Sequence, residues 1–180
     1  MRVSFFRKVE ARVLQDKEGK RMAQWARKLS PPDSSKKFLA EYIWVVLCSG
    51  ISFRAAQTME AKFYETGVCK HPHKNRAIQK IGKDYRDVWK RFRACKTDEE
   101  RMELIRTLPY MGGKALPFQL AKNLGITCFC KPDVHLVRLA ENHGYPGDPQ
   151  AMCETLAKKT GKTVAYVDTV LWYAAMRKWI

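Results

Sequence analysis

From Phe38 to Cys48 the chain reads Phe-Leu-Ala-Glu-Tyr-Ile-Trp-Val-Val-Leu-Cys, with a single charge at Glu41. The break Ser30-Pro31-Pro32-Asp33-Ser34 precedes it, and Gly50-Ile51-Ser52 follows. Asp33 or Ser34 is placed to cap a helix over 35–48. Such a helix is apolar almost all round, so other elements must surround it. It is expected at the centre of the protein. Its longest apolar run, Tyr42 to Cys48, is far short of the roughly 20 residues a membrane span needs.

The surrounding elements read as helices, because alternating strand patterns are nearly absent. Residues 8–29 carry Val9, Val13, Leu14, Met22, Trp25, Ala26 and Leu29 among charges, an amphipathic helix with an interruption placed at Gly19. Ser52 can cap a helix through Tyr64, and 67–75 reads as a loop. From Lys74 to Lys96, Ile78, Ile81, Tyr85, Val88, Trp89 and Phe92 recur at helical spacing in a very basic stretch. Thr97-Asp98-Glu99-Glu100 puts acids in a first turn, where the helix dipole favours them. Further helices are expected at 113–124, 133–143, 148–160 and 163–177. The chain is therefore expected to be all-α, with about nine short helices.

Charge narrows the function. The 180 residues hold 34 Lys+Arg against 18 Asp+Glu, a formal net charge of +16. A surface so positive is suited to a polyanion, and nucleic acid is the expected partner. The start, Met1 to Arg7, lacks the apolar core of a secretion signal, and six irregularly spaced cysteines read as reduced thiols. An intracellular, cytoplasmic or nucleoid-associated monomer is expected, with no membrane partner. Cys69 with His71 and His73, and Cys128 with Cys130, invite a zinc reading, but neither has the paired-ligand spacing of a structural site. No metal or cofactor is expected. The basic run Lys70, His71, His73, Lys74, Arg76, Lys80, Lys83, Arg86, Lys90, Arg91 and Arg93 offers phosphate contacts.

Two short segments are candidates for binding or chemistry. Leu108-Pro109-Tyr110-Met111-Gly112-Gly113-Lys114 ends one helix and opens another through a tight turn, a hairpin over about 104–124. Glycines there allow close approach of a ligand, and the new helix offers free N–H groups to a phosphate. Tyr110, Met111, Gly112 and Gly113 are the candidate DNA-phosphate-binding residues. Nineteen residues after Lys114, Asp133 follows Pro132 and opens the next helix.

Leu108 to Ala115 resembles the helix-hairpin-helix of the DNA glycosylase (HhH-GPD) superfamily, which reads Leu-Pro-Gly-Val-Gly-x-Lys-x-Ala. Lys131-Pro132-Asp133-Val134-His135-Leu136-Val137-Arg138-Leu139 resembles its downstream Val-Asp-x-His-x-x-Arg-Leu, at a matching Lys-to-Asp spacing. Endonuclease III-like and 8-oxoguanine glycosylase-like members carry both residues. The specific resemblance covers about 36–145, more weakly over 38–64. Tyr110 replaces the hairpin's first glycine, and Gly50 stands where a glutamine often fills the gap left by a flipped base. Only Cys153 follows residue 144, so the four-cysteine iron–sulfur loop of some relatives has no counterpart.

The resemblance implies a two-lobed helix-hairpin-helix glycosylase-like fold. Residues 36–130 would form the hairpin lobe and 1–35 with 131–180 the second, with a DNA-facing cleft between them. It implies a DNA N-glycosylase with AP lyase activity on a modified or damaged base flipped from double-stranded DNA, as in base excision repair. Lys114 would attack C1′ and Asp133 would stabilise positive charge on the sugar, with His135 in support. Lys114 is expected in the first turn of its helix, where the dipole disfavours the ammonium. Phe118 is expected on the same helix face. Tyr42, Trp44, Phe118 and Phe129 are the aromatic candidates for the base pocket. Two alternatives stay open: a bacteriophage glycosylase-like enzyme that modifies 5-substituted thymine, and a non-catalytic helix-hairpin-helix DNA-binding module.

Overall fold

The computed structural model describes residues 1–180, the side chain of Phe53 excepted. Among the described residues it has ten α-helices and no strand, so the chain is all-α. Contacts divide it into two compact units. One is the insert, Pro31–Leu124; the other joins Met1–Ser30 to Gly125–Ile180. The boundaries lie at 30/31 and 124/125, a few residues before the expected 35/36 and 130/131. Residues 126–131 belong with the terminal unit because its own helices hold their backbone, as described below.

In the insert, α3 (Ser35–Cys48) buries Phe38, Tyr42, Ile43, Val45, Val46 and Leu47, and Ser34 caps it by accepting from the Lys37 N–H. It packs against α4 (Phe53–Thr66), α5 (Pro72–Ala94) and α7 (Leu116–Asn123). Ser52 caps α4, whose end is turned by Gly67 in the left-handed region, φ 70°. Pro72 opens α5 and His71 caps it. Before α6 (Asp98–Thr107), Thr97 and Glu100 form a reciprocal capping box, satisfying donors at both ends of the first turn.

The terminal unit has a centre of its own. Helix α10 (Val164–Met176) buries ten residues, from Val164 through Leu171 together with Tyr173 and Ala174. Around it pack α1 (Val3–Gln15), α2 (Lys17–Arg27), α8 (Val134–Asn142) and α9 (Pro149–Thr160). The helix expected at the centre of the whole protein is thus the centre of one unit only. Two apolar helices each need a jacket, and the chain builds two.

The single amphipathic helix expected over 8–29 is two helices, and the break is at Asp16 rather than Gly19. Asp16 accepts from the Gly19 N–H at 2.9 Å and from the Tyr173 hydroxyl at 2.6 Å, capping α2 and tying it to α10. Gly19 lies inside α2, where a Cβ would stand 2.5 Å from the Val13 carbonyl oxygen and 2.9 Å from the Tyr173 ring. Its hydrogen side chain lets the two helices and Tyr173 meet. Tyr166 makes the matching link, donating to Glu10 at 2.6 Å and accepting from Arg27 at 2.9 Å. No helix is long and apolar enough to cross a membrane among the described residues.

Candidate functional site

In the insert, α6 stops at Leu108, and Met111 N–H donates to the Leu108 carbonyl at 3.1 Å, closing a turn. Tyr110 sits in that turn at φ 69°, the left-handed region where a Cβ is disfavoured. The chain therefore holds a tyrosine in the conformation glycine adopts freely, at the position where the resembling hairpins have glycine. Beneath it, Tyr42 is fully buried and donates to the Pro109 carbonyl at 2.6 Å. Burial pushes the Tyr42 phenol up, which keeps it protonated as that donor.

Gly112, Gly113 and Lys114 follow, all exposed. Neither glycine has positive φ, and a Cβ on either would meet nothing within 4 Å. The fold itself does not require glycine there. Met111, expected as a phosphate contact, has its side chain fully buried and its N–H already used within the turn. It anchors the hairpin from below.

Lys114 is not in the first turn of the following helix. Pro117 starts the helix late, so α7 begins at Leu116, Ala115 is its N-cap, and no side chain caps its first N–H groups. Lys114 precedes the cap and is free of the helix geometry. Phe118 therefore does not share a helix face with it. The Arg106 guanidinium lies over the Phe118 ring instead, 5.5 Å from its centroid. The far end of α7 is fixed to α3: Gln119 donates to Asn123 at 2.7 Å, and Asn123 donates to Glu41 at 2.8 Å. Burial pushes the Glu41 carboxyl up, the Asn123 bond opposes this, and Glu60 nearby adds to it.

In the terminal unit, Asp133 is the N-cap of α8. Its Oδ1 accepts from the N–H groups of His135 at 3.0 Å and Leu136 at 3.1 Å. Oδ2 lies 3.8 Å from Lys131 Nζ. The Asp133 side chain retains 14% exposure. Thus one oxygen orients the group while the other faces a cation at longer range. His135 supports it through its backbone N–H, and its ring is half-buried.

The segment before Asp133 is clamped by residues the sequence reading passed over. Gln150 on α9 accepts from Cys130 N–H at 2.6 Å and donates to the Cys128 carbonyl at 2.8 Å. Asp168 on α10, 1% exposed, accepts from Lys131 N–H at 2.8 Å. Ala165 N–H reaches the Thr127 carbonyl at 3.0 Å. Asp168 carried a signal, since it is the lone acid in the otherwise uncharged run Val164 to Met176. Gln150, on a mixed polar helix, carried none.

The remaining candidates divide between the units. Trp44 lies half-buried in the insert, where Tyr42 is fully buried, and Phe129 lies half-buried in the terminal unit. Gly50 is exposed with φ 70°. Lys74, expected on the phosphate-binding face, is 2% exposed and donates to the carbonyls of Leu47 at 2.8 Å and Ser49 at 2.7 Å. It caps the end of α3, and desolvation lowers its ammonium pKa, an effect Cys69 and Cys48 oppose. His71 accepts from the Lys74 N–H as the α5 cap. Among the described residues no three His, Cys, Asp or Glu side chains converge as a metal site requires.

No protein-family model, characterised protein or solved structure matches the chain.

Proposed function

We propose that the protein is a DNA N-glycosylase with AP lyase activity, which grips duplex DNA by the 108–115 hairpin and acts on a base flipped from the stack. The observation that carries this reading is Tyr110 at φ 69°. A left-handed tyrosine costs on the order of 1–2 kcal/mol, and strain of this kind collects at sites with a function. The turn it bends exposes Gly112, Gly113 and Lys114, whose missing or flexible side chains serve a polyanion better than they serve the fold.

The chemistry follows from the two polar residues. As the glycosidic bond breaks, positive charge grows on the sugar, and the Asp133 carboxylate would stabilise it. The neutral amine of Lys114 would attack C1′ and lose its proton, and the base would leave with the bonding electron pair and take up a proton. Ring opening then gives an imine, whose acidified C2′ proton allows β-elimination of the 3′ phosphate. Lys114 is exposed in the free protein. Desolvation against DNA would supply the neutral form.

The test is reductive trapping. Borohydride should convert the imine between protein and abasic-site duplex into a stable amine, seen as a covalent species. Lys114→Gln should abolish it. Equal trapping by wild type and Lys114→Gln would assign the nucleophile elsewhere. A base changed in mass within intact DNA, with no trapping, would replace excision by base modification.

A further inference from the structure

Helix α5 presents a basic stripe. At 100° per residue, Arg76, Lys80, Lys83 and Lys90 fall within about 40° of one line, and Arg91 sits just beside it. All five are exposed. From Arg76 to Lys90 the backbone spans about 21 Å, fourteen steps at about 1.5 Å each. The opposite face is buried through Ala77, Ile78, Ile81, Val88 and Phe92, so the stripe is held to solvent by packing. Two of its residues, Lys80 and Arg91, border the hairpin. A groove of about 330 Å³ is lined on one side by Lys80, Asp84, Asp87 and Arg91 of α5, and on the other by Leu108 and Pro109. Asp84 and Asp87 are the acids on this surface, and Lys90 holds Asp87 at 3.3 Å.

We infer that the α5 stripe is a second phosphate-binding surface, which takes the sugar–phosphate backbone of the duplex strand leaving the hairpin. The inference rests on the DNA-binding reading above and specifies where the strand goes. Arg76, Lys80 and Lys83 follow one another at about 4.5–6 Å along the axis, Asp87 interrupts the row and Lys90 lies about 10.5 Å beyond Lys83, while a DNA strand presents one phosphate per about 3.4 Å of axis. A strand seated at Leu108–Pro109 thus meets Lys80 and Arg91 first and Lys83 next. Lys74 takes no part, being spent on the end of α3.

The experiment compares two variants with equal charge loss. One is Lys80→Gln/Lys83→Gln/Arg91→Gln on the stripe. The other is Lys20→Gln/Lys158→Gln/Lys159→Gln, three exposed lysines of the terminal unit. Affinity for an abasic-site duplex is measured from low to physiological salt. Each phosphate contact contributes about 0.9 to the slope of log K against log salt, so the stripe variant should lose about 2–3 from the slope and the control less than 1. An unchanged slope in the stripe variant overturns the inference while wild-type binding and trapping leave the glycosylase reading standing. An equal loss in both variants also overturns it, because net charge alone would then act. Loss of binding to phosphatidylserine vesicles, with duplex binding intact, assigns the stripe to a lipid surface and overturns it too. If wild type binds no duplex at all, both readings fall.

Discussion

The turn leading into α7 leaves Gly112, Gly113 and Lys114 exposed, and its helix starts without a capping side chain. The turn leading into α8 is tied at Thr127, Cys128, Cys130 and Lys131 by groups on α9 and α10, and Asp133 is itself a two-bond cap. Both turns carry polar residues of the proposed chemistry, yet Asp133 is held by two hydrogen bonds while Lys114 is exposed. An electrostatic group is most effective when its orientation costs nothing at the moment of reaction. A nucleophile on a long flexible stem can be ordered by the substrate instead. In the proposed chemistry Asp133 would be the preorganised group and Lys114 the one ordered by substrate.

The largest effect should come from Asp133→Asn. Asparagine caps a helix about as well as aspartate, so folding should be little changed. Turnover on a base-modified duplex, measured in single-turnover base release, should nonetheless fall by roughly 100-fold or more. Unchanged turnover in the folded variant would reduce Asp133 to a helix cap and erase the functional half of the contrast.

Cutting the clamp should come next. Gln150→Ala removes the partner of both the Cys130 N–H and the Cys128 carbonyl. Stability should fall by about 2 kcal/mol, read as a lower denaturant midpoint. No change would mean that the second turn is held by Asp168 and Ala165 alone.

The first turn should respond in the opposite direction. Tyr110→Gly relieves a left-handed φ, so stability should rise by about 1 kcal/mol in the same assay. A loss of that size would show the tyrosine ring contributing more packing than its backbone costs. The hairpin would then be shaped by the core and not by strain.

The smallest effect concerns pH. The Glu41 carboxyl, which receives Asn123 and so fixes α7 behind the first turn, is raised in the folded state above its ordinary 4.5. The folded protein then binds that proton more tightly than the unfolded chain. Its stabilising share is full below 4.5 and is lost as pH rises through the raised value. Glu41→Gln should flatten that part of the stability–pH curve, as followed by thermal unfolding at stepped pH. An unaltered curve would assign the dependence to Glu60, which is also raised by burial.

Much of the local structure was legible because its causes are local. The Ser34 and Ser52 caps, the Thr97–Glu100 box and the apolar character of α3 all depend on residues a few positions apart. Other features depended on partners far along the chain. Asp16 reads as an ordinary surface acid until Tyr173 is beside it, 157 residues away, and only then does it explain the break between α1 and α2. Lys74 looked like one more cation in a basic run, but Leu47 and Ser49 present carbonyls that its ammonium answers.

The candidate site divides the same way. The resemblance of the sequence to a known hairpin family marked Lys114, Asp133 and the glycines, because residue type and spacing by themselves suit an ordinary turn and helix cap as well. The helical class was legible in the sequence itself, because a period near 3.6 leaves no strand with a buried face. Only the tertiary structure decided which of those groups are open and which are spent. Met111 and Tyr42 went into the core under the hairpin, Lys114 fell outside α7 because Pro117 delays the helix, and Gln150 and Asp168 were recruited to hold the other turn. Burial and hydrogen-bond partnership arise where distant segments meet, and a linear pattern does not encode that meeting residue by residue.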